Sequence, residues 1–570
     1  MKNLPILLAL RRSTSLLVLC ALASLAGAQP GTVLSSQKIS SSTGGFAGPL
    51  DDYDEFGTCV ASLGDLNGDT LGDIVVGVDG DDDGGLECGA VWILFLATNG
   101  TVKGEAKISM TAGGFRGILA PDDYFGSAVT SLGDFDGSGT YDIAVGAWGD
   151  DGIGFNRGAV WLLGLNTDGS ASAEREIADR VGGLGGVLKS GDRFGSAVAY
   201  LGDLDGDGVG ELAVGAPGDD SGGVDHGAVW VLFLDSTGYV KAKAKISDLH
   251  GAFGGDLDDE DRFGSALGTL GDLDRDGVVD LAVGAPGDDD GGTDRGAVWV
   301  LFLSGDGTVK DEQKISAAYG GFGGALADYD QFGTAVTQIA DHDGDTVTDV
   351  VVGAPADGDG GPLHGAIWVL FLDVDGTVRY EQKISETAGG FEGPLGDLGR
   401  FGSSLAFLDD HDRDGVGDIA CGARFDNDGG AMRGAVWILF LDGTPEASAA
   451  PRFGLGINAD ILTNVTLPVL GQTWIAELDA AGHDPSICGI MGGDTPMGGL
   501  VLGIGEILVD FFMGNQLIFT VLPHASGVVT FQHPIPLDVS FGGFAVYTQG
   551  LVLGTPGANL SNGIDLVLGK

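Results

Sequence analysis

Short apolar runs recur along most of this chain and are separated by segments rich in Gly, Asp and Ser. Residues 281–286 (LAVGAP) and 296–303 (GAVWVLFL) are examples, in which β-branched and aromatic residues are bounded by Gly, Pro or Asp. Continuous apolar runs of this length are typical of strands buried on both faces. The pattern therefore predicts an all-β fold.

The runs are organised in six units with a period of 69 residues. A Phe-Gly dipeptide marks each unit, and one Trp in a later run keeps the same spacing. The phenylalanines are Phe56, Phe125, Phe194, Phe263, Phe332 and Phe401, and the tryptophans are Trp92, Trp161, Trp230, Trp299, Trp368 and Trp437. Repeats with several short strands each are typical of β-propellers. We therefore expect a propeller of four-stranded blades over residues 29–444.

The two ends of the array predict how it closes. Residues 31–40 match the last strand of a unit at residues 100–109, whereas the sixth unit stops after its third strand at Leu441. Pairing the first strand into the last blade would leave no exposed sheet edge. A closed ring of six blades is expected, and an open array with a frayed first strand is the alternative.

A carboxylate-rich loop follows each Phe-Gly dipeptide, with oxygen-bearing side chains at its positions one, three, five and nine. These residues are Asp65, Asn67, Asp69 and Asp73; Asp134, Asp136, Ser138 and Asp142; Asp203, Asp205, Asp207 and Glu211; Asp272, Asp274, Asp276 and Asp280; Asp341, Asp343, Asp345 and Asp349; and Asp410, Asp412, Asp414 and Asp418. Calcium prefers six to eight oxygen ligands, and a glycine near position six permits the sharp turn. We predict about one Ca²⁺ per repeat.

Two other interpretations of the loops agree less well with the sequence. An EF-hand needs a glutamate at position twelve and flanking helices, but that position holds Val76, Val145, Val214, Val283, Val352 and Cys421 inside a predicted strand. A plain Asp/Gly turn without metal is possible, since both residues favour turns. However, two carboxylates about 4 Å apart repel by roughly 4 kcal/mol at an effective dielectric near 20, so a turn alone would not need several of them.

These residues resemble FG-GAP repeats, which form the blades of the integrin α-subunit propeller and of related secreted proteins. The resemblance rests on Phe-Gly, on the Asp-x-Asp-x-Asp-Gly-x-x-Asp loop and on Val-Gly-Ala-Pro, and it spans about residues 29–444. It implies structural calcium in a β-hairpin, held by the loop residues named above, and ligand-binding loops on the opposite face. The chain departs from integrins in having six repeats rather than seven blades.

The amino terminus is typical of a signal peptide over residues 1–28, with Lys2, Arg11 and Arg12 before an apolar stretch and Ala26-Gly27-Ala28 before the expected cleavage. The paired arginines weakly suggest a twin-arginine route, and lipid anchoring at Cys20 is disfavoured. No later segment has the length of a membrane span. We expect a secreted or cell-surface protein without a transmembrane segment after cleavage.

The formal net charge of −54 excludes nucleic acid and anionic membrane surfaces as favourable partners. A second set of Asp/Gly runs contributes much of it, at residues 81–83, 219–220 and 288–290 and at Asp426 with Asp428. We expect these to be solvated acidic loops in preference to additional cation sites.

The side chains that could support catalysis occupy ordinary positions of the repeat. Ser221 stands where another unit has Asp, and His226 and His364 fill a place that is Arg in other units. His342 and His411 hold the second position of a metal loop, expected to point away from the ligands. These residues predict no nucleophile with a base and an orienting group, so a non-enzyme is expected.

Four cysteines remain after the predicted cleavage. Cys59 and Cys421 replace small apolar residues of other units and are expected to be buried. The sequence leaves open whether Cys59 and Cys88 form a disulfide. Cys488 lies in the carboxyl-terminal region.

The composition changes after a short linker at residues 445–452. Residues 453–570 are apolar, Gly-rich and free of the repeat, which predicts a β-sandwich-like domain. Its role as an export or attachment module, a binding domain or a cap is open.

The function predicted from the sequence is a secreted calcium-binding propeller that acts as a binding or adhesion module for an extracellular protein or glycan. The alternative is an extracellular hydrolase or lyase, acting on polysaccharide or phospholipid. A carbohydrate-binding protein would need exposed aromatic residues, whereas the phased tryptophans are expected to pack inside.

Overall fold

The computed structural model describes residues 30–442 except residue 153, together with the backbone pairing of ten strands between residues 448 and 567. The first range forms six four-stranded antiparallel sheets arranged as the blades of a ring. The predicted six-bladed β-propeller is confirmed.

The first three blades are built from consecutive strands. Blade 1 holds β2 (Val60–Gly64), β3 (Asp73–Val78), β4 (Ala90–Leu96) and β5 (Val102–Ser109), and β1 is Thr32–Ser40. Blade 2 holds β6 (Phe125–Gly133), β7 (Asp142–Ala147), β8 (Ala159–Leu165) and β9 (Ala171–Ala178). Blade 3 holds β10 (Val198–Gly202), β11 (Glu211–Ala216), β12 (Ala228–Leu234) and β13 (Val240–Ile246).

The next two blades follow the same order, and the sixth takes its last strand from the start of the chain. Blade 4 holds β14 (Ala266–Gly271), β15 (Asp280–Ala285), β16 (Ala297–Leu303) and β17 (Val309–Ser316). Blade 5 holds β18 (Ala335–Ile339), β19 (Asp349–Ala354), β20 (Ala366–Leu372) and β21 (Val378–Ile384). Blade 6 holds β22 (Phe401–Phe407), β23 (Ile419–Ala423), β24 (Ala435–Asp442) and β1.

The burial of each strand follows its place in the blade. The first strands of all six blades line a central cavity of about 350 Å³. The second and third strands are buried along almost their whole length, as in β15 and β16. The fourth strand, such as β17, is buried at its two ends and exposed or half-buried between them, because it forms the outer edge of the blade. The apolar cores lie between neighbouring blades: one cluster joins Val231 of β12 to Val283 of β15.

The Phe-Gly dipeptide forms the joint between blades. The backbone N–H of Phe263 donates to His226 O of the preceding blade at 3.0 Å, and the N–H of Gly264 donates to Gly284 O at 3.0 Å. Gly264 has φ +90°, and a Cβ there would lie 2.5 Å from Ala228 O, so only glycine fits. The phenylalanine ring is fully buried in all six copies.

The ring closes through β1, as predicted. β1 pairs antiparallel with β24 from Thr32 opposite Asp442 to Ser40 opposite Ala435. The first Phe-Gly joint completes the contact, because the Phe56 N–H donates to Arg433 O at 2.9 Å. The open, frayed array is therefore wrong.

The carboxyl-terminal strands form three antiparallel sheets. β25 (Ser448–Arg452), β34 (Ala558–Val567), β33 (Ala545–Gly554), β28 (Ser486–Gly493) and β31 (Gln516–His524) form the first, in that order. β26 (Leu462–Asn464), β27 (Thr473–Asp479) and β32 (Val528–Pro534) form the second, and β29 (Pro496–Leu502) with β30 (Gly505–Val509) the third.

Two further segments were predicted after the ring, a linker and a second domain. β25 lies within the segment predicted as a linker, residues 445–452. The sandwich-like arrangement of residues 453–570 stays a prediction. The predicted signal peptide, residues 1–28, lies outside the described residues.

A buried aspartate stands two residues before the Phe-Gly dipeptide in five blades, as Asp54, Asp123, Asp192, Asp261 and Asp330. Asp261 Oδ2 accepts the backbone N–H of Asp258 at 2.9 Å. Burial raises the pKa of Asp261 to about 7; the hydrogen bond from Asp258 opposes this shift, while the charge of Asp288 adds to it. The folded protein therefore holds this proton more tightly than the unfolded chain does.

Removing β1 tests the closure. We expect a chain that starts at residue 42 to unfold at a lower temperature than one that starts at residue 30, because it loses the buried side chains of Val33 and Ile39, worth about 3 kcal/mol or more together. It should also self-associate through the bare edge of β24. Thermal unfolding and light scattering measure both effects, and equal behaviour of the two chains would contradict the closed ring.

Asp261→Asn tests the buried carboxyl. The raised pKa means that the stabilising contribution of Asp261 is full below about pH 4 and is lost as pH rises through about 7. Asparagine keeps the acceptor but does not ionise. The free energy of unfolding of the variant relative to the natural chain should therefore rise by about 1 kcal/mol between pH 5 and pH 8, since solvent screening leaves only part of the shift as stability.

Denaturant titrations at the two pH values supply this difference. Asp256→Asn removes an exposed carboxylate from the same segment and controls for the loss of one charge. A pH-independent difference for Asp261→Asn would refute the raised pKa.

Candidate metal centres

The six acidic loops lie at one end of the ring, each joining the first and second strands of a blade. In blade 4, the loop begins after Gly271, the last residue of β14, and its position nine is Asp280, the first residue of β15. Position nine is almost fully buried in every blade, whereas most residues at positions one to five are exposed or half-buried. The strands therefore fix one carboxylate and the loop brings the others to it.

Short acidic side chains fold each loop by bonding to its own backbone. Asp272 Oδ1 and Oδ2 accept the N–H groups of Asp276 at 2.8 Å and Gly277 at 2.9 Å. Asp280 Oδ2 accepts the N–H of Leu273 at 2.9 Å, and its Oδ1 accepts that of Leu303 on β16 at 3.1 Å. Such Asx-type bonds favour a tight loop with its side chains turned inward.

The predicted residues converge in five of the six loops. In each, three acidic residues offer oxygen atoms that all lie within 4.8 Å of one another. The groups are Asp134, Asp136 and Asp142; Asp203, Asp205 and Glu211; Asp272, Asp274 and Asp276; Asp341, Asp343 and Asp349; and Asp410, Asp412 and Asp418. Oxygen clusters of this kind suit a hard divalent cation. The structure contains no helix flanking these loops in residues 30–442, so the exclusion of an EF-hand agrees with it.

Two loops differ from the pattern. The first loop has an amide, Asn67, at position three, and its Oδ1 accepts the N–H of Asp69 at 2.9 Å. In the second loop Ser138 Oγ lies 2.9 Å from Thr140 Oγ1, while three acids meet without it. These two loops therefore carry three carboxylates at the four positions, where the other loops carry four.

Burial, together with the neighbouring carboxylates, opposes ionisation at position nine. Burial raises the pKa of Asp280 to about 6, and the charge of Asp274 adds to this shift. Burial and the neighbouring charge of Asp343 raise the pKa of Asp349 to about 8. Burial, and then the charge of Asp412, raise the pKa of Asp418 to about 8. A bound cation would relieve this concentration of negative charge.

A cation from the fourth strand, not predicted from the sequence, reaches four of the loops. Lys103 lies 2.5 Å from Asp69, Lys241 lies 3.3 Å from Asp205, Lys310 lies 2.6 Å from Asp274, and Arg379 lies 2.5 Å from Asp343. The same position holds Ser172 in blade 2 and Leu34 in blade 6. The sequence signal for this cation is its 69-residue spacing, directly after a valine that recurs in the repeats, such as Val309.

The second Asp/Gly runs are only partly solvated, so the expectation of solvated acidic loops is wrong for their first residue. Asp288 is buried and lies 2.5 Å from Lys314 Nζ, which also lies 2.6 Å from Asp290. Lys314 is held 5.3 Å from the centroid of the Trp299 ring. The same ion pair with the first aspartate of the run is made in four other blades, by Lys38, Lys107, Lys245 and Lys383. The cation in these runs is therefore the chain's own lysine.

The histidines take structural places. His364 lies 2.5 Å from Glu386 and 3.0 Å from Asp397. His364 occupies the same repeat position as Arg295, which lies 2.9 Å from Asp328 in blade 4. His342 Nε2 lies 3.1 Å from Asp442 O and His411 Nε2 lies 2.9 Å from Ala97 O, outside the ligand groups.

Ser221 and the cysteines also lie within the repeat framework. Ser221 Oγ accepts a hydrogen bond from Lys245 at 2.8 Å. Cys59, Cys88 and Cys421 are buried free thiols, so the structure contains no disulfide between Cys59 and Cys88.

The end of the ring opposite the acidic loops holds a second cavity, of about 400 Å³. One hydroxyl from each blade lines it: Thr58, Ser127, Ser196, Ser265, Thr334 and Ser403. Arg193, Arg262 and Arg424 lie at the same mouth, together with Asp79 and Trp148. The lining of this cavity therefore carries more positive than negative side chains.

Comparison with known proteins agrees with the repeat architecture. The model of the FG-GAP repeat matches residues 194–232 and 263–301. The chain carries FG-GAP repeats. It resembles the amino-terminal propeller of integrin α-subunits: integrin alpha-PS2 of Drosophila melanogaster is 33% identical over 248 residues, covering 41% of this chain and 15% of that protein.

Two further relatives match shorter stretches. Integrin alpha-4 of Xenopus laevis is 34% identical over 173 residues, covering 30% of this chain and 15% of that protein. Phosphatidylinositol-glycan-specific phospholipase D of Rattus norvegicus is 34% identical over 172 residues, covering 30% of this chain and 19% of that protein. The matched region thus spans less than a fifth of each relative. No helix in the described part of the chain is long and apolar enough to cross a membrane.

Lys310→Met tests the strand-four cation. In excess chelator we expect the free energy of unfolding to fall by less than about 1 kcal/mol, because the pair of Lys310 with Asp274 and Asp276 is partly exposed. The effect should vanish when Asp274→Asn and Asp276→Asn are already present, since the cycle isolates the pairwise interaction. An undiminished effect in that background would show that Lys310 acts through other contacts.

Proposed function

We propose that this FG-GAP protein is an extracellular, calcium-stabilised propeller that acts as a binding or adhesion module, with about one Ca²⁺ per repeat. The observation that carries the proposal is the convergence of three acidic residues within 4.8 Å in five loops. The ligands are the residues at positions one, three, five and nine of the six loops. Lys103, Lys241, Lys310 and Arg379 then act as counter-charges that leave the carboxylates when calcium binds.

The proposed binding face is the mouth opposite the calcium loops. Six hydroxyls and three arginines give it hydrogen-bonding groups and positive charge in a chain of net charge −54. Hydroxyl rings and arginines suit an extracellular protein or a glycan that carries acidic groups. The likeness to integrin α-subunits supports an interaction role for this region.

A hydrolase acting on phospholipid is the second candidate. The likeness to phosphatidylinositol-glycan-specific phospholipase D favours it over a polysaccharide hydrolase or lyase. A phospholipase assay on purified protein, with phosphatidylinositol-glycan as substrate, tests this candidate directly, and turnover there would replace the binding role.

Calcium should raise the thermal stability of the propeller. Each occupied site adds about 2.7 kcal/mol at a hundredfold excess of calcium over its Kd, so chelation should lower the melting temperature by many degrees. Calcium should restore it more effectively than magnesium, which prefers fewer protein ligands. Thermal unfolding in calcium, magnesium and chelator measures this.

Loop variants sharpen the test. Asp274→Asn with Asp276→Asn should lower the stabilisation by calcium by roughly one site's share. Asp256→Asn with Asp258→Asn removes two exposed charges outside the loops and should leave that stabilisation unchanged. Identical melting in calcium and chelator would mean that the loops are plain turns.

A further inference from the structure

A cavity of about 230 Å³ lies at the outer part of blade 2, against the turn of blade 3 that precedes β13. Its wall includes Leu162, Gly164, Asp142, Glu174, Arg175 and Gly238. The cavity thus combines an apolar side with acidic side chains, and Asp142 among them belongs to the acidic loop of the same blade.

The cavity marks a missing aromatic ring. Gly164 stands where the other five blades have Phe95, Phe233, Phe302, Phe371 and Phe440. In blade 3 the ring of Phe233 lies under the turn of the next blade, since a Cβ on Gly307 would lie 3.2 Å from Phe233 Cζ. The corresponding Gly238 meets Leu162 and the stem of Arg175 instead. The space that a phenyl ring fills elsewhere is therefore open in blade 2.

A cation is missing at the same place. Ser172 stands where four other blades have a lysine or arginine on the loop carboxylates. β8 and β9 pair Gly164 with Ala173, next to Ser172. In blades 1, 3, 4 and 5 a phenyl ring and a cationic head are thus neighbours at this place, whereas blade 2 has neither.

A buried carboxylate oxygen faces the open space without a partner. Asp142 is only 3% exposed, and its Oδ1 has no hydrogen bond. The equivalent atom of Asp280 accepts the N–H of Leu303 at 3.1 Å, but in blade 2 the N–H of Leu165 donates to Tyr141 O at 3.2 Å. Asp142 Oδ1 lies 3.4 Å from the place of a Cβ on Gly164. A buried, unpaired oxygen of this kind is costly and favours a donor in the cavity.

The remaining charges favour a cationic ligand. Glu174 Oε2 is also buried without a hydrogen bond, and Asp136 completes three carboxylates on the wall. The one cation there, Arg175, has its guanidinium 4.3 Å from the centroid of the Tyr239 ring. When no calcium occupies the loop of Asp136 and Asp142, three negative groups against one positive group leave the wall net negative, with an apolar pocket beside it.

We propose that this cavity binds a small organic monocation, an ammonium or guanidinium group attached to an aromatic or aliphatic body. The body takes the place of the missing phenyl ring, and the head donates to Asp142 Oδ1 and Glu174 Oε2. The site is distinct from the channel mouth and does not depend on the proposed partner-binding role, but it shares Asp136 and Asp142 with a loop that is proposed to bind calcium, so calcium should weaken this binding.

The test measures the binding of phenethylammonium to the full chain. Isothermal titration calorimetry is carried out once in calcium and once in chelator. Neutral 2-phenylethanol has the same ring, and ethylammonium has the same charge. We expect phenethylammonium to bind at least about tenfold more tightly than either, since both the ring and the charge contribute. Equal affinity for the neutral compound, or no saturable binding in either buffer, would overturn the proposal.

Two variants with the same added charge provide the matched control. Gly164→Phe with Ser172→Lys installs the pair that the other blades carry, so it should fold and should abolish binding. Leu34→Lys adds one positive charge at the corresponding position of blade 6 and should leave binding unchanged. Ser172→Lys alone serves if the double variant fails to fold. If Leu34→Lys abolished binding as well, the binding would come from general attraction of a cation by an acidic chain, and the proposal would be wrong.

Discussion

The Phe-Gly joint between blades is the contact on which the rest of the propeller depends. A blade is buried on both faces, so it has no core until a neighbour lies against it. The joint fixes that neighbour twice, through a fully buried phenylalanine ring and through a glycine whose backbone lies too close to the preceding blade for any side chain. Burial of one such ring contributes about 1.5 to 3 kcal/mol, and six copies set the spacing of the whole ring.

This fixed spacing gives the two ends of the ring different chemistry. At one end, the first strand stops and a loop of short acids folds onto a buried carboxylate such as Asp280. At the other end, the second acidic run is neutralised by a lysine such as Lys314, which also covers a tryptophan ring. Negative charge is therefore left most concentrated at the loops, while the opposite mouth carries arginines and hydroxyls.

The sequence predicted what the repeat itself encodes. The period, the four strands and the closing role of β1 all follow from residues that recur at fixed spacing, and the loop acids converge because neighbouring positions in one tight turn must lie together. Contacts between distant strands were not predicted, because they depend on register. The pairing of Lys314 with Trp299 across β16 and β17 places its ammonium on Asp288, and no local pattern reveals this.

The departures of single blades were readable only once the shared contacts were known. Gly164 and Ser172 look like ordinary drift in the sequence, but in the fold they are neighbours that leave one cavity.

A crystal structure of the protein grown with calcium would test whether the acidic loops hold this ion, with anomalous scattering recorded at long wavelength. We expect one anomalous peak among the carboxylates of each loop, with Lys310 and Arg379 turned away from them. Loops without peaks, with these cations still on the carboxylates, would contradict it.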